Sequence, residues 1–404
     1  MIILKSPMII SRPIYLNRIL PYADKSMIKV LVGQRRVGKS CILSSIEQVL
    51  REQHPDANFI TVNLENFEFS HIREAEDLYK EITTRFKSGH KNYIFVDEIQ
   101  EVKDFDRVIR SLALNPENDI YITGSNSTML SSEIASRLAG RSVEFRIHPL
   151  NYAEFLEFHQ FTDSDDTLSL YLQYGGMPYL RNLPDQSTWN EYLQGVMAAL
   201  VYRDIVTRHS LRNNDFLQRL LLFLADNIGR IFTAKRISDY LKAQRIVGTV
   251  NSVQMYADYI CEAYIINKVK RWDIEGKRFF EIGEKYYFED LGLRNAVIGL
   301  RPMDKAALIE NAVFNHLQSQ DYKIRIGSLN GGREIDFIAE KNGEQKYIQV
   351  ALNVDNPETA AREFGNLKSI PDNYTKLLVT LRDSAPNTFD GIKMLSLRRF
   401  LMEE

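Results

Sequence analysis

Residues Gly33-Gln34-Arg35-Arg36-Val37-Gly38-Lys39-Ser40 fit the pattern G-x-x-x-x-G-K-[ST] at every fixed position, and Cys41 follows them. Each fixed type has a physical reason. Glycines let consecutive backbone N–H groups turn inward around phosphate oxygens. The N-terminus of a following helix adds partial positive charge. Lys39 can reach the β and γ phosphates of a nucleotide, and the Ser40 hydroxyl can ligate Mg²⁺. Arg35 and Arg36 fill variable positions of the loop and read as solvent-facing charges.

A second set of residues completes a hydrolytic site. YIFVDE at 93–98 is an apolar run that ends in two carboxylates. Asp97 is placed to hold Mg²⁺ together with Ser40, and Glu98, one residue on, to polarise an attacking water as general base. Another apolar run ends in Thr123-Gly124-Ser125-Asn126. At that tip Asn126, ahead of Ser125, is the candidate for contact with the γ-phosphate or the lytic water. Arg137 and Arg141 are candidates for stabilising transition-state charge, in their own chain or a neighbour's. A guanine-specifying N-K-x-D is missing, because Asn267-Lys268-Val269-Lys270 ends in lysine. The expected ligands are therefore ATP and Mg²⁺.

These residues need a sheet to hold them. Apolar runs at 26–32, 58–64, 92–97, 119–123 and 143–147 alternate with helical patterns at 39–53 and 75–86. Strand–helix alternation with nearly continuous apolar strands predicts an α/β unit with a parallel sheet covered on both faces. The loop at 33–40 then joins a strand to a helix, the context such a loop requires.

Composition sets the outer bounds. The chain has 404 residues, 44% hydrophobic and 26% charged, which predicts a globular chain of two or three domains. A net charge of −2 gives no whole-chain signal for nucleic acid or membrane. The two cysteines, Cys41 and Cys261, form no C-x-x-C, so neither a zinc site nor a disulfide framework is expected, and a reducing cytoplasm is the simplest location. No run approaches the length of a membrane span.

GQRRVGKS, YIFVDEIQ, ITGSNS and the LAGR…HPL stretch together resemble the AAA+ branch of P-loop ATPases, in a prokaryotic subgroup with an uncharacterised C-terminal domain. GGMP at 175–178, YRDI at 202–205 and KYYFEDLGL at 285–293 also look typical of that subgroup. The resemblance implies a sheet ordered 5-1-4-3-2. It implies ATP-site roles for Lys39, Ser40, Asp97 and Glu98, a sensor at Asn126, and an arginine finger at Arg137 or Arg141. It divides the chain into a P-loop core at 1–150, a helical lid at 151–212, a winged helix-turn-helix at 213–298 and an α/β nuclease-like domain at 299–404.

The pattern of the later segments fits this division. Helical patterns at 215–227, 234–241 and 251–261 precede a hairpin at 263–282. The hairpin carries Lys268, Lys270, Arg271, Lys277 and Arg278 among aromatics, a set that can grip a phosphate backbone. The presumed recognition helix, NSVQMYADYIC, has no Lys or Arg, and winged helices also dock proteins. A helix from Glu310, a hairpin over 323–339 and a strand over 346–352 resemble the restriction-endonuclease fold. There a helical Glu, a strand Asp and an acidic-x-Lys strand bind Mg²⁺ and activate water. Glu310 and Asp336 match the carboxylates, but Gln349-Val350-Ala351 replaces the acidic-x-Lys, so a non-cleaving domain is expected. The sequence thus reads as a Mg-dependent ATPase that couples nucleotide state to a partner, DNA or protein, through its C-terminal domains, with oligomerisation open. The alternative reading is a DNA-binding protein or nuclease regulated by ATP.

Overall fold

The computed structural model describes residues 12–125, 138, 140–246, 248–383 and 388–403. The chain divides into two compact units after His148.

The first unit begins with α1 (Pro13–Ile19), then alternates β1 (Ile28–Val32), α2 (Lys39–Gln53), β2 (Asn58–Asn63), α3 (Ala75–Thr83), β3 (Asn92–Asp97), α4 (Phe105–Leu112), β4 (Asn118–Gly124) and β5 (Ser142–Arg146). All strand pairings are parallel, in the order β2-β3-β4-β1-β5, which from the other edge reads 5-1-4-3-2. Every residue of β1, β3 and β4 is buried, as expected of strands covered on both faces. This burial includes a lysine. Lys29 is fully buried in β1, and its ammonium pairs with Asp119 on β4 and lies 4.4 Å from the centre of the Tyr121 ring. A buried charge is tolerated because it is paired and hydrogen-bonded.

The second unit opens with helices α5 (Tyr152–His159), α6 (Asp165–Tyr174) and α7 (Gln186–Ala199), the last running into a π-helical stretch over Leu200–Thr207. Next come α8 (Asn214–Asp226), α9 (Ala234–Ala243) and α10 (Val250–Glu262). Thr233 caps α9 through the Arg236 N–H, as its position before the apolar pattern suggests. The hairpin of β6 (Ile266–Asp273) and β7 (Arg278–Phe288) leads into α11 (Leu291–Ile298) and α12 (Lys305–Ser319). The chain closes with β8 (Lys323–Ser328), β9 (Glu334–Lys341), β10 (Glu344–Ala351), α13 (Pro357–Lys368), β11 (Thr375–Thr380), β12 (Thr388–Phe389), β13 (Ile392–Ser396) and α14 (Leu397–Met402).

The hairpin of β6 and β7 is not a free-standing wing. β6 pairs in parallel with β8, Arg271 opposite Ile326 and Asp273 opposite Ser328. One sheet of eight strands therefore runs β12-β13-β11-β10-β9-β8-β6-β7. Phe364 and Leu367 of α13 pack with Ile335, Ile338 and Leu378 to form a core on one face of it. The boundary expected at 298 thus crosses a continuous sheet.

Asp290 joins the GGMP and KYYFEDLGL segments, which lie far apart in sequence. Its carboxylate accepts the Gly176 N–H at 2.7 Å and caps α11 through the Leu293 N–H at 2.9 Å. In the next turn Asn295 donates to the Gln173 carbonyl at 2.8 Å, and Arg294 bonds the Ala225 carbonyl and Asp304, both at 2.9 Å.

Candidate active site

The strand-to-helix loop has the geometry its sequence requires. Gly33 adopts φ 146°, and a Cβ there would stand 2.2 Å from the Ile147 carbonyl oxygen. Gly38 adopts φ 97° immediately before α2 begins at Lys39. L-residues resist both conformations. The turn leaves the N-terminus of a fifteen-residue helix behind the loop. The Lys39 ammonium lies folded back on its own loop, donating to the Gly33 and Gln34 carbonyls at 3.0 Å each. The Gln34 side chain is fully buried, and neither its oxygen nor its nitrogen has a hydrogen-bond partner.

Glu98 comes next to this lysine. The two charges stand 4.0 Å apart, and both side chains are buried. Glu98 sits at φ 57° just beyond β3, a left-handed conformation that turns the chain sharply at the strand tip. Thr123 holds the turn: its hydroxyl accepts the Glu98 N–H at 3.0 Å and donates to Asp97 Oδ1. Burial pushes the Glu98 pKa up. The Lys39 charge, hydrogen bonds from Gln100 and Ser125, and the Arg35 charge outweigh it, so the carboxyl is held below its ordinary range. Gln100 Nε2 bridges Glu98 Oε2 and the Ser125 hydroxyl, the latter at 3.3 Å. Ser40 is exposed at the start of α2 and Asp97 is buried at the end of β3.

Several sequence expectations change here. Arg35 is not simply solvent-facing. Its side chain is only 12% exposed, pairs with Glu65 at 3.1 Å, and contributes to holding Glu98 ionised. Arg36 is exposed, as expected. Arg141 sits at the wrong end of the sheet. Its carbonyl accepts the Ile28 N–H where β1 begins, whereas the phosphate loop leaves the other end of β1. The strand between them spans about 16 Å at roughly 3.3 Å per residue, beyond the reach of an arginine in its own chain. Asn126 and Arg137 lie outside the described residues.

Three positioning residues had no distinct signal in the sequence. Gln100 and Thr123 are ordinary polar residues near strand ends. Arg12 precedes α1, where its buried guanidinium donates to the Val37 carbonyl at 3.1 Å and the His148 carbonyl at 2.9 Å. It ties the loop to the segment leaving β5. A capping arginine 25 residues upstream of its partner leaves no local pattern to read.

The residues fit a bound nucleotide and metal. The loop's glycine turns, the helix N-terminus and a lysine donating to two loop carbonyls suit a polyphosphate. Ser40 and Asp97 offer oxygen donors, the hard ligands Mg²⁺ takes. Among the described residues no group of three or more His, Cys, Asp or Glu is arranged to hold a metal.

Residues 25–156 match the model described as an AAA domain, and residues 165–304 match a model described as a domain of unknown function, DUF8612. An uncharacterised protein of Haemophilus influenzae is 35% identical over 98% of this chain and 100% of its own length. The chain belongs to the same family. Its first part is an AAA domain of the P-loop ATPase kind. The uncharacterised protein MJ1544 of Methanocaldococcus jannaschii is 28% identical over 88% of this chain and 82% of its own. Among solved structures, the ORC1 protein of Aeropyrum pernix in complex with DNA is similar at 14% identity with a TM-score of 0.32, over 71% of this chain and 90% of that one. The AAA domain carries the phosphate loop, the Asp97–Glu98 pair and Thr123; DUF8612 covers the helices after it, the β6–β7 hairpin and α11.

Proposed function

We propose that this protein binds Mg·ATP in its AAA domain and hydrolyses it, coupling nucleotide state to a partner bound by the C-terminal unit. The observation that carries the reading is the Lys39–Glu98 pair. A phosphate-binding ammonium and an ionised carboxylate stand 4.0 Å apart in a buried site, each held by a different strand-end turn. Mg²⁺ would be held by Ser40 and Asp97 and would supply charge neutralisation for the phosphates. Lys39 exchanges its loop carbonyls for phosphate oxygens. Glu98 accepts the proton of the attacking water, and Gln100 keeps that carboxylate oriented through Ser125.

Lys39→Ala tests the binding half. It should abolish binding of a fluorescent ATP analogue, a loss of at least about a hundredfold in affinity by the scale of charge-assisted bonds to a polyphosphate. Binding as tight as wild type would defeat the assignment.

The partner class we favour is a protein. Of the basic residues the hairpin offers to DNA, Lys268 pairs with Asp258 at 2.9 Å, Arg271 bonds Ser328 at 3.0 Å and Arg278 lies 3.6 Å from Asp273. Lys270, Lys277 and Arg278 are exposed. A cytoplasmic location is the natural compartment for this reading, and no helix among the described residues is long and apolar enough to cross a membrane.

A further inference from the structure

The C-terminal unit holds a second cluster of charges that ATP chemistry does not use. Glu310 on α12, Glu334 and Asp336 on β9 and Gln349 on β10 line one pocket of about 650 Å³. Glu310, Asp336 and Gln349 are the positions that resemble a nuclease site lacking its lysine. The structure supplies a lysine from elsewhere. The Lys285 ammonium on β7 stands 3.1 Å from Glu310, 3.4 Å from Glu334 and 3.5 Å from Asp336.

We propose that Lys285 is a built-in counter-ion: its ammonium takes the place of a divalent cation among Glu310, Glu334 and Asp336, and closes this pocket to metal.

The surrounding contacts agree. The Lys285 side chain is only 5% exposed. Burial alone would lower its pKa, but Glu310, Asp336 and Glu334 raise it well above the usual lysine value, so the ammonium stays charged. The carboxylates are also satisfied by neutral donors. Tyr287 donates its hydroxyl to Glu310 at 2.6 Å, and the Val350 N–H bonds Asp336 at 2.9 Å. Gln349 spends its side-chain oxygen on the Asp336 N–H at 3.3 Å. A further carboxylate at the pocket, Glu363, has its own cation in Arg362 at 2.5 Å. The second oxygen of Glu363 is buried without a partner. The three carboxylates nearest one another thus already share a cation, the Lys285 ammonium. The missing acid and lysine on β10 are thereby accounted for. The sheet extension through β6 and β8 carries β7, with Lys285 and Tyr287, up to α12 and β9.

The probe is Mn²⁺ alone, titrated into the nucleotide-free full chain and followed by the electron paramagnetic resonance signal of the free ion. Wild type and Asp336→Asn should bind the same amount. Lys285→Met should bind one Mn²⁺ more per chain than wild type, and Lys285→Met/Asp336→Asn should lose that extra ion. If Lys285→Met is unfolded by circular dichroism without metal, adding Mn²⁺ should restore its spectrum, since binding to the native state alone pulls the folding equilibrium. The proposal is overturned by any of three results: wild-type Mn²⁺ binding that Asp336→Asn removes; a folded Lys285→Met with no extra ion; or a Lys285→Met that stays unfolded with Mn²⁺. Mn²⁺-dependent DNA cleavage by wild type that vanishes in Asp336→Ala would overturn it as well. None of these readouts depends on ATP turnover.

Discussion

At the scale of single residues, the ATP site is a problem of holding two opposite charges apart. Lys39 and Glu98 form an ion pair at 4.0 Å while each is engaged by its own turn. Lys39 is held by loop carbonyls, and Glu98 by Gln100 and the Thr123-fixed backbone. Gln100→Ala should leave ATP affinity unchanged and lower kcat by about tenfold, the lower range for losing correct orientation of a general base. An increased KM with unchanged kcat would contradict this. The pH profile of hydrolysis should be flat through the neutral range and fall only at acidic pH, because Glu98 is held below the ordinary glutamate value and must be ionised to act. In Gln100→Ala the acid limb should move to higher pH, since a bond favouring the charged form is gone. The phosphate loop and the carboxylate pair were legible in the sequence because each motif is contiguous and its neighbours along the chain place it. The helpers were not. Gln100, Thr123 and Arg12 act through contacts that depend on which strands lie side by side, and Arg35 turns toward Glu65 rather than water for the same reason.

At the scale of elements, α11 is the junction. Asp290 at its N-terminus clamps the Gly175-Gly176 turn, and burial raises its pKa to about 6 even though the Gly176, Leu293 and Gly292 N–H groups pull it down. Between the unfolded value near 3.8 and about 6, the folded chain keeps a proton that the unfolded chain has lost. The contribution of Asp290 to stability therefore falls as pH rises through that window. Compared by urea unfolding, wild type should lose ground to Asp290→Asn between pH 4 and pH 7, by on the order of 2–3 kcal/mol. A constant difference between the two would contradict the burial argument. The β6–β7 hairpin gives a second test. With Lys270, Lys277 and Arg278 as its exposed basic residues, any DNA binding through it should show a slope of log K against log salt no steeper than about −3, at about −0.9 per phosphate contact. A slope near −5 would restore the reading of the hairpin as a DNA grip. The helices at 215–227, 234–241 and 251–261 and the hairpin were readable from periodicity and turn residues. The pairing of β6 with β8 was not, because parallel pairing between distant strands leaves no local pattern. The same pairing hid Lys285, which the sequence places 51 residues from Asp336.

At the scale of the whole molecule, one unit carries the phosphate loop with the Asp97–Glu98 pair, and the other carries the pocket where Lys285 meets Glu310, Glu334 and Asp336. In calorimetry, saturating Mg·ADP should stabilise the unit ending at His148 against unfolding by about 2.7 kcal/mol at a hundred times Kd. The eight-stranded sheet runs across the boundary expected at 298, and the sequence offered no linker rich in Pro or Gly there. The most direct test of the ATPase reading is steady-state phosphate release by purified Glu98→Gln beside wild type, with ATP binding measured on the same samples. Glu98→Gln should bind ATP as well as wild type and hydrolyse it about a hundredfold or more slowly, the scale set by loss of a general base. Hydrolysis at the wild-type rate with normal binding would show that Glu98 is not the base and would remove the central support for this function.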